Sequence, residues 1–227
     1  MTVEREGRWL RVRFSTAQSV LSWAIVGGGR RTTSTVAWYQ VRDGDLRPPA
    51  DARQFLRERL EAAAIPGAVG LLTSCSLDGY VDVERRRGGV AVRCIATVGL
   101  GNALRAGDPP DEGQRVGTIN LLCCVSTPLA EEALVEALAL AAEARAAAVL
   151  DAFVASRSTG RPATGTGTDC IVVAAPALDG GASFAGKHTL VGHLIGSAVG
   201  DATRQGVEAW KRARAVADGC LPSPIRP

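Results

Sequence analysis

The chain has 227 residues, of which 46% are hydrophobic, and this length suffices for one domain with a substantial core. Its 26 basic and 23 acidic residues nearly balance, so composition gives no electrostatic case for a nucleic-acid-binding protein. No apolar run is long enough to cross a bilayer, and the charged residues 1–6 lack the apolar segment of a signal peptide. We therefore expect a cytoplasmic protein with no nucleic-acid or membrane partner.

Local patterns predict a first half built mainly of strands. Residues 9–14 alternate with period two, and residues 32–41 are rich in the β-branched and aromatic residues that strands favour. Apolar residues recur among charges in residues 51–64, which predicts an amphipathic helix ending before Pro66. A tight Arg-Gly-Gly turn joins two later strands, which favours antiparallel pairing there.

The second half is predicted to alternate long helices with loops. Residues 129–156 are Ala-rich, and such small side chains favour close packing of a helix against a sheet. The predicted strands cover residues 9–14, 32–41, 68–74, 80–83, 90–98, 117–125 and 170–175. The predicted helices cover residues 51–64, 129–156 and 189–217.

These elements predict an α+β fold, a single layered domain over residues 1–227 with a mixed or mostly antiparallel sheet packed by long helices. We expect its core at about residues 9–217, and a loop over residues 106–114. The Pro-rich tail, residues 218–227, is expected to be frayed.

Six cysteines are spread over the chain without the C-x-x-C spacing of zinc sites and redox motifs. Most lie in apolar runs, where cysteine behaves as a small hydrophobic residue. The sequence therefore predicts six reduced thiols and no disulfide. They are Cys75, Cys94, Cys123, Cys124, Cys170 and Cys220.

A Thr/Gly loop at residues 163–169 stands out, because alternating Thr and Gly does not favour a helix. It ends in Asp169 and leads into a short apolar run that reads as a buried strand. Backbone N–H groups at glycines can line a concavity for an anion or an amide. Alternatively, the loop is a turn whose hydroxyls cap their own backbone. We predict Asp169 as a catalytic residue and the preceding residues as substrate contacts: Thr164, Gly165, Thr166, Gly167 and Thr168.

The only two histidines, His188 and His193, lie five positions apart. If Thr189 is the N-cap of the last helix, they occupy the two positions that a hydrophobic staple brings together. The positive end of that helix would keep an imidazole neutral, so that it can act as a base or as a hydrogen-bond donor. Alternatively, they are only a capping arrangement. We predict a catalytic role for His188 and a substrate contact for His193, and the spacing supports no metal site.

Further polar residues complete the predicted site. Glu143 lies within the Ala-rich helix as a candidate catalytic carboxylate, although it also fits a solvated helix face. Lys187, one of two lysines, is a candidate substrate contact or a solvated loop cation. Asn102 and Asn120 lie near predicted strand ends, where a carboxamide can pair with an amide or a nucleotide edge. Thr118 is a further predicted substrate contact. No nucleophile elbow, H-E-x-x-H motif or P-loop is present, which argues against a serine hydrolase or a zincin.

Together these blocks resemble the adenosylcobinamide amidohydrolase (CbiZ) family over roughly residues 15–205. The Ala-Thr-Gly-Thr-Gly-Thr-Asp segment is the most specific part of the resemblance. The other segments that carry it are residues 21–24, 27–29, 99–103, 105–108, 117–120, 142–144, 186–189 and 192–196.

The resemblance implies an enzyme that hydrolyses a secondary amide, removing the aminopropanol arm of adenosylcobinamide to give adenosylcobyric acid in corrinoid salvage. It implies a small-molecule substrate and no cofactor. Two positions depart from the expected pattern: His193 stands where an acidic residue is expected, and Arg145 where Lys is usual. Two alternatives therefore stay open, a related enzyme acting on another amide- or lactam-containing metabolite and a corrinoid-binding protein without turnover. The oligomeric state is open too, with a homo-oligomer as one alternative.

Overall fold

A computed structural model describes residues 1–47, 49–110 and 117–217. Within these residues the chain forms ten strands and three α-helices. The strands are β1 (Thr2–Glu6), β2 (Trp9–Ser22), β3 (Gly29–Gln40), β4 (Val69–Thr73), β5 (Val81–Arg87), β6 (Val90–Val98), β7 (Ala103–Leu104), β8 (Ile119–Val125), β9 (Gly165–Thr166) and β10 (Cys170–Pro176). The helices are α1 (Ala52–Ala62), α2 (Glu131–Asp151) and α3 (Leu190–Ala217).

The main sheet has the strand order β4-β3-β2-β10-β8-β6-β5, with β1 paired to β2. Most pairs are antiparallel, including β5–β6 and β6–β8 in the middle of the chain, whereas β10–β8 and β3–β4 are parallel. This confirms the predicted α+β class and the mostly antiparallel sheet. The short strands β7 and β9 form a separate pair that holds the Thr/Gly loop against residues 103–104.

Helices α2 and α3 cover one face of the sheet. The small side chains Ala133, Ala137 and Ala141 of α2 are fully buried in the core that these helices form with β6, β8 and β10. Such side chains let a helix approach a neighbouring element closely. The buried Ala-rich face of α2 agrees with the predicted close packing.

The sheet curls so that its opposite face encloses a second core. Leu10, Trp38 and Leu122 lie in this core, contributed by β2, β3 and β8. The curl brings the end of β4 to the start of β8, although three strands separate them in the sheet. There the side-chain amide of Asn120 donates to the Leu72 carbonyl at 2.7 Å. A cleft opens beside this junction.

Helix α1 begins one residue after its predicted start and ends two residues before its predicted end. Asp51 is its N-cap, and the carboxylate accepts from the Arg53 and Gln54 backbone N–H groups. The apolar stripe packs on the sheet at Gly70, where an added Cβ would lie 2.9 Å from both Leu56 and Leu60. A glycine at this point therefore sets the distance between α1 and β4.

Several predicted boundaries differ from the structure. The strand predicted over residues 9–14 continues to Ser22 through an irregularity between Arg13 and Gln18, where polar, exposed residues hide its continuation. Strand β1 was not predicted, because its alternation involves charged residues whose faces are only partly covered. The helix predicted over residues 129–156 is shorter and ends at Asp151.

Parts of two predicted segments, residues 111–114 of the polar loop and the tail 218–227, lie outside the described residues. In the part of the chain that the structure describes, no helix is long and apolar enough to span a membrane.

Candidate active site

A cleft of about 580 Å³ lies where the Thr/Gly loop meets the start of β8 and the end of β4. One wall is apolar, with Ile25, Leu46 and Leu71 among its residues. The opposite end is polar, and five of the predicted site residues line it: Thr118, Asn120, Gly167, Thr168 and Asp169. This combination of an apolar wall with a few convergent polar groups is typical of small-molecule sites.

Two hydroxyl groups are joined at the polar end of the cleft. The Thr118 hydroxyl donates to the Thr168 carbonyl at 2.7 Å. The Thr168 hydroxyl lies 3.0 Å from the Thr118 hydroxyl and 3.2 Å from the Gly117 carbonyl, so it can donate to either oxygen. The two threonines therefore tie the loop to the start of β8 and place two hydroxyls beside the space of the cleft.

The Asp169 carboxylate is buried behind the loop and saturated with hydrogen bonds. One oxygen accepts from the Ile119 backbone N–H at 3.0 Å and from the Thr166 hydroxyl. The other accepts from the Thr166 backbone N–H at 2.9 Å and from the Arg145 guanidinium. An ionised carboxylate has about four lone-pair sites, and these four donors account for them. This geometry supports an anchoring role and leaves no lone pair to take a proton from water; the predicted catalytic role of Asp169 stays a prediction.

The Arg145–Asp169 ion pair is itself buried, with side chains only 14% and 7% exposed. Burial lowers the pKa of the Arg145 guanidinium from its ordinary value, but a guanidinium stays protonated at neutral pH. Gly165 makes the pair possible, because an added Cβ there would overlap both charged groups. Gly165 is thus required for the loop to pass over the ion pair.

Other hydrogen bonds and close contacts of the predicted residues hold the loop in place. The Thr164 hydroxyl accepts from the Ala106 backbone N–H at 2.8 Å. The Gly167 N–H donates to the Asn102 carbonyl at 3.3 Å, and a Cβ at Gly167 would lie 2.9 Å from the Asn102 side-chain nitrogen. Thr164, Gly165, Thr166 and Asn102 are absent from the cleft lining, so their predicted contact with substrate stays a prediction.

Trp23 is a cleft residue that the sequence did not single out as functional. It follows β2, and its indole N–H donates to the Asp169 carbonyl at 2.6 Å. Even so, its side chain remains 46% exposed. The pattern Leu-Ser-Trp-Ala carried only the family resemblance. The signal that could have identified Trp23 as functional is its position between a predicted strand and the loop of three glycines at residues 27–29.

Cys170 lines the cleft as the first residue of β10, and Cys75 lies near Thr118. Burial raises the pKa of Cys170 to about 12 and also raises the pKa of Cys75 above its ordinary value. Because the thiolate is the reactive form of cysteine, neither thiol is suited to act as a nucleophile at neutral pH. The five cysteines of the described residues are all unpaired thiols, and Cys220 lies outside those residues.

A second group of predicted residues lies elsewhere, in a groove of about 310 Å³ between α2 and α3. Glu143, Lys187 and His193 line it, together with small residues of both helices. Lys187 and Glu143 form an ion pair at 2.5 Å, with side chains 69% and 57% exposed. This groove shares no lining residue with the cleft, so the structure divides the predicted residues between two places.

The predicted cap of α3 is confirmed. The Thr189 hydroxyl accepts from the Gly192 backbone N–H at 2.9 Å, and the helix begins at Leu190. Both histidines are exposed. His193 lines the groove, whereas His188 lies beside Gly186, where an added Cβ would be 3.4 Å from its ring. Among the described residues, no three His, Cys, Asp or Glu side chains are grouped as metal ligands.

Comparison with known proteins identifies the family of this chain. The family model described as adenosylcobinamide amidohydrolase matches residues 1–215. An adenosylcobinamide amidohydrolase of Halobacterium salinarum is 30% identical over 197 residues, which cover 82% of this chain and 80% of that relative. The chain therefore belongs to the adenosylcobinamide amidohydrolase family.

Proposed function

We propose that this amidohydrolase cleaves the secondary amide of adenosylcobinamide in the cleft beside the Thr/Gly loop, releasing the aminopropanol arm and leaving adenosylcobyric acid. The observation that carries the proposal is the hydroxyl pair of Thr118 and Thr168 at the polar end of an otherwise apolar cleft. An amide that enters this end meets hydrogen-bonding groups, while the apolar wall excludes water from its sides.

Hydrolysis adds a water oxygen to the amide carbonyl carbon and breaks the C–N bond, and the departing amine gains a proton. The transition state carries negative charge on the former carbonyl oxygen, which positioned donors stabilise. The Thr168 hydroxyl, with its proton turned from the Gly117 carbonyl into the cleft, and the second N–H of the Asn120 amide, whose first is taken by Leu72, are suited to this role. Asp169 would act indirectly, by holding the loop that carries Thr168.

The groove between α2 and α3 is the alternative place for the chemistry, with Glu143 as the acid–base group and Lys187 and His193 as substrate contacts, while the predicted catalytic residue His188 lies outside its lining. The cleft beside the Thr/Gly loop fits better, because the ion pair of Glu143 and Lys187 is open to solvent. We also propose that the protein works in the cytoplasm, where the unpaired thiols of the described residues stay reduced.

Thr168→Val and Thr118→Val test the cleft. Each removes a hydroxyl at nearly constant volume. We expect kcat/KM for adenosylcobinamide to fall by ~10²-fold in Thr168→Val, the scale of one lost oxyanion donor, and by less in Thr118→Val, whose hydroxyl donates to the Thr168 carbonyl and only positions the loop. Mass analysis of adenosylcobyric acid measures the product. The matched controls are Glu143→Gln in the groove and His188→Ala near it, which should change the rate by less than about threefold, since exposed groups outside the cleft contribute little.

Losses of ~10²-fold in the groove variants, with the threonine variants unaffected, would move the chemistry to the groove. If the wild-type protein forms no product, a binding function is supported by a rise in melting temperature with adenosylcobinamide. If neither product nor stabilisation is found, a different amide or lactam becomes the substrate to seek.

A further inference from the structure

Trp23 is both exposed and fixed, a combination that packing alone does not explain. Nearly half of its side-chain surface is open to water although it is one of the largest apolar groups in the chain. Its ring is nevertheless held by the hydrogen bond from its indole nitrogen to the Asp169 carbonyl. An apolar ring kept in place at the surface is ready to bind an apolar surface without further loss of conformational entropy.

The backbone under the ring is held as well. The preceding residue, Ser22, is paired to β10 in the sheet. The following glycine loop folds back on this segment, because a Cβ at Gly28 would lie 2.5 Å from the Ala24 carbonyl oxygen. Val26 then bridges to Gly70 of β4. Trp23 therefore stands on a segment that is tied down on both sides.

Two clefts meet at this ring. Trp23 and Ile25 line the cleft of the Thr/Gly loop, and both also line a second cleft of about 430 Å³. That second cleft is formed by residues 22–29 together with Arg53 and Arg57 of α1. Backbone N–H groups of a glycine-rich loop and guanidinium groups can both donate hydrogen bonds to carbonyl oxygens. Its chemistry suits a polar, acceptor-rich part of a ligand.

We propose that Trp23 is the platform on which the flat ring system of the substrate lies, with the scissile arm in the first cleft and the polar periphery of the ring in the second. This rests on the proposed function and adds the site of ring recognition. A corrin ring is a broad, nearly flat conjugated macrocycle. It is larger than the aminopropanol arm that we place in the first cleft, so it needs a surface outside that cleft. A fixed indole face between two clefts supplies the stacking surface that such a ring needs.

Steady-state kinetics with adenosylcobinamide tests the platform in the full-length protein. Trp23→Leu keeps an apolar side chain but removes the aromatic face, and Trp23→Phe keeps an aromatic face. We expect KM to rise about tenfold in Trp23→Leu with kcat within about threefold of wild type, and Trp23→Phe to recover most of the difference. Phe184→Ala is the control, since Phe184 is also an exposed aromatic but lines neither cleft, and its KM should be unchanged.

Equilibrium binding of cobinamide, followed by its visible absorbance, tests the platform even if no product forms. Weaker binding in Trp23→Leu than in wild type supports the platform. If the wild-type protein hydrolyses adenosylcobinamide but Trp23→Leu leaves both KM and the dissociation constant unchanged, the platform is overturned and the proposed function stays intact. A wild-type protein that binds cobinamide through Trp23 without turnover would overturn only the proposed function.

Discussion

Asp169 and Glu143 both form ion pairs that involve helix α2, but their surroundings give them different energetic roles. Asp169 meets Arg145 in the interior with every lone pair engaged, whereas the pair of Glu143 with Lys187 is more than half exposed. Removing one partner of a buried pair leaves an uncompensated charge, while an exposed pair is screened by water. Position in the sequence does not reveal this difference, because Arg145 is 24 residues from Asp169 along the chain.

If Asp169 is an anchor, Asp169→Asn should lower the free energy of unfolding by about 3–5 kcal/mol, because Arg145 is left without its carboxylate. Glu143→Gln, the matched exposed change, should cost less than about 1 kcal/mol. Urea unfolding followed by circular dichroism measures both. An Asp169→Asn protein with wild-type stability and abolished turnover would favour the catalytic role instead.

At the scale of elements, helix α3 contains two glycines four residues apart, and only the first lies where packing requires a glycine. An added Cβ at Gly192 would overlap the Gly186 carbonyl oxygen and lie 2.5 Å from the Ala185 carbonyl oxygen. At Gly196 such a Cβ would meet nothing within 4 Å. Gly192 therefore lets the loop before α3 lie against the helix, whereas Gly196 makes no close approach that requires a glycine.

We expect Gly196→Ala to raise the free energy of unfolding by up to about 1 kcal/mol, because alanine has the higher helix propensity. Gly192→Ala should lower it, because a backbone carbonyl cannot move aside as a flexible side chain can. Thermal unfolding of the two variants side by side measures the contrast. Two variants shifted in the same direction would contradict this account of the helix start.

The sequence predicts an element correctly where the local residue pattern determines that element. Thr189 is the N-cap that local chemistry predicts, and the mostly antiparallel sheet is confirmed. Strand β2 was underestimated because its second half is an irregular strand with polar residues, held by pairing to β10. The division of the site residues between cleft and groove, and the place of Trp23, depend on contacts between distant segments that no local pattern encodes.

At the scale of the whole molecule, the pKa values of the buried thiols depend on their burial in the core. Cys94 and Cys123 are opposite each other on neighbouring strands and are fully buried. Burial raises the pKa of Cys123 to about 12 and the pKa of Cys94 well above its ordinary value. In the unfolded chain a thiol has a pKa of about 8.5, so above that pH the unfolded state binds fewer protons than the folded state. The stability that the neutral thiols contribute is complete below about pH 8.5 and is lost as the pH rises towards 12.

The cost of Cys123→Ala should therefore depend on pH. Between about pH 7.5 and about pH 10 the difference in unfolding free energy between wild type and Cys123→Ala should shrink by about 2 kcal/mol, since only the wild type has this thiol to ionise on unfolding. Val173→Ala is the control, because Val173 pairs with Cys123 in the register of the sheet but does not titrate. Denaturant titrations at the two pH values check this, and a cost of Cys123→Ala independent of pH would show that the thiol is not buried.

The place of β10 in the sheet also determines when the cleft can exist during synthesis. β10 is inserted between β2 and β8, and it pairs residue 173 with residues 21 and 123. Until it arrives, the nascent chain can form the local pairs β1–β2, β2–β3 and β6–β8, but residues 18–22 of β2 and one edge of β8 stay unpaired. Closing a loop of this length is slow compared with forming a hairpin, and exposed strand edges invite association with other chains. Strand β10, the last strand of the described residues, thus joins the two parts of the sheet, and the segment just before it delivers Asp169 to Arg145. A chain released before residue 169 therefore has neither a continuous sheet nor an anchored loop.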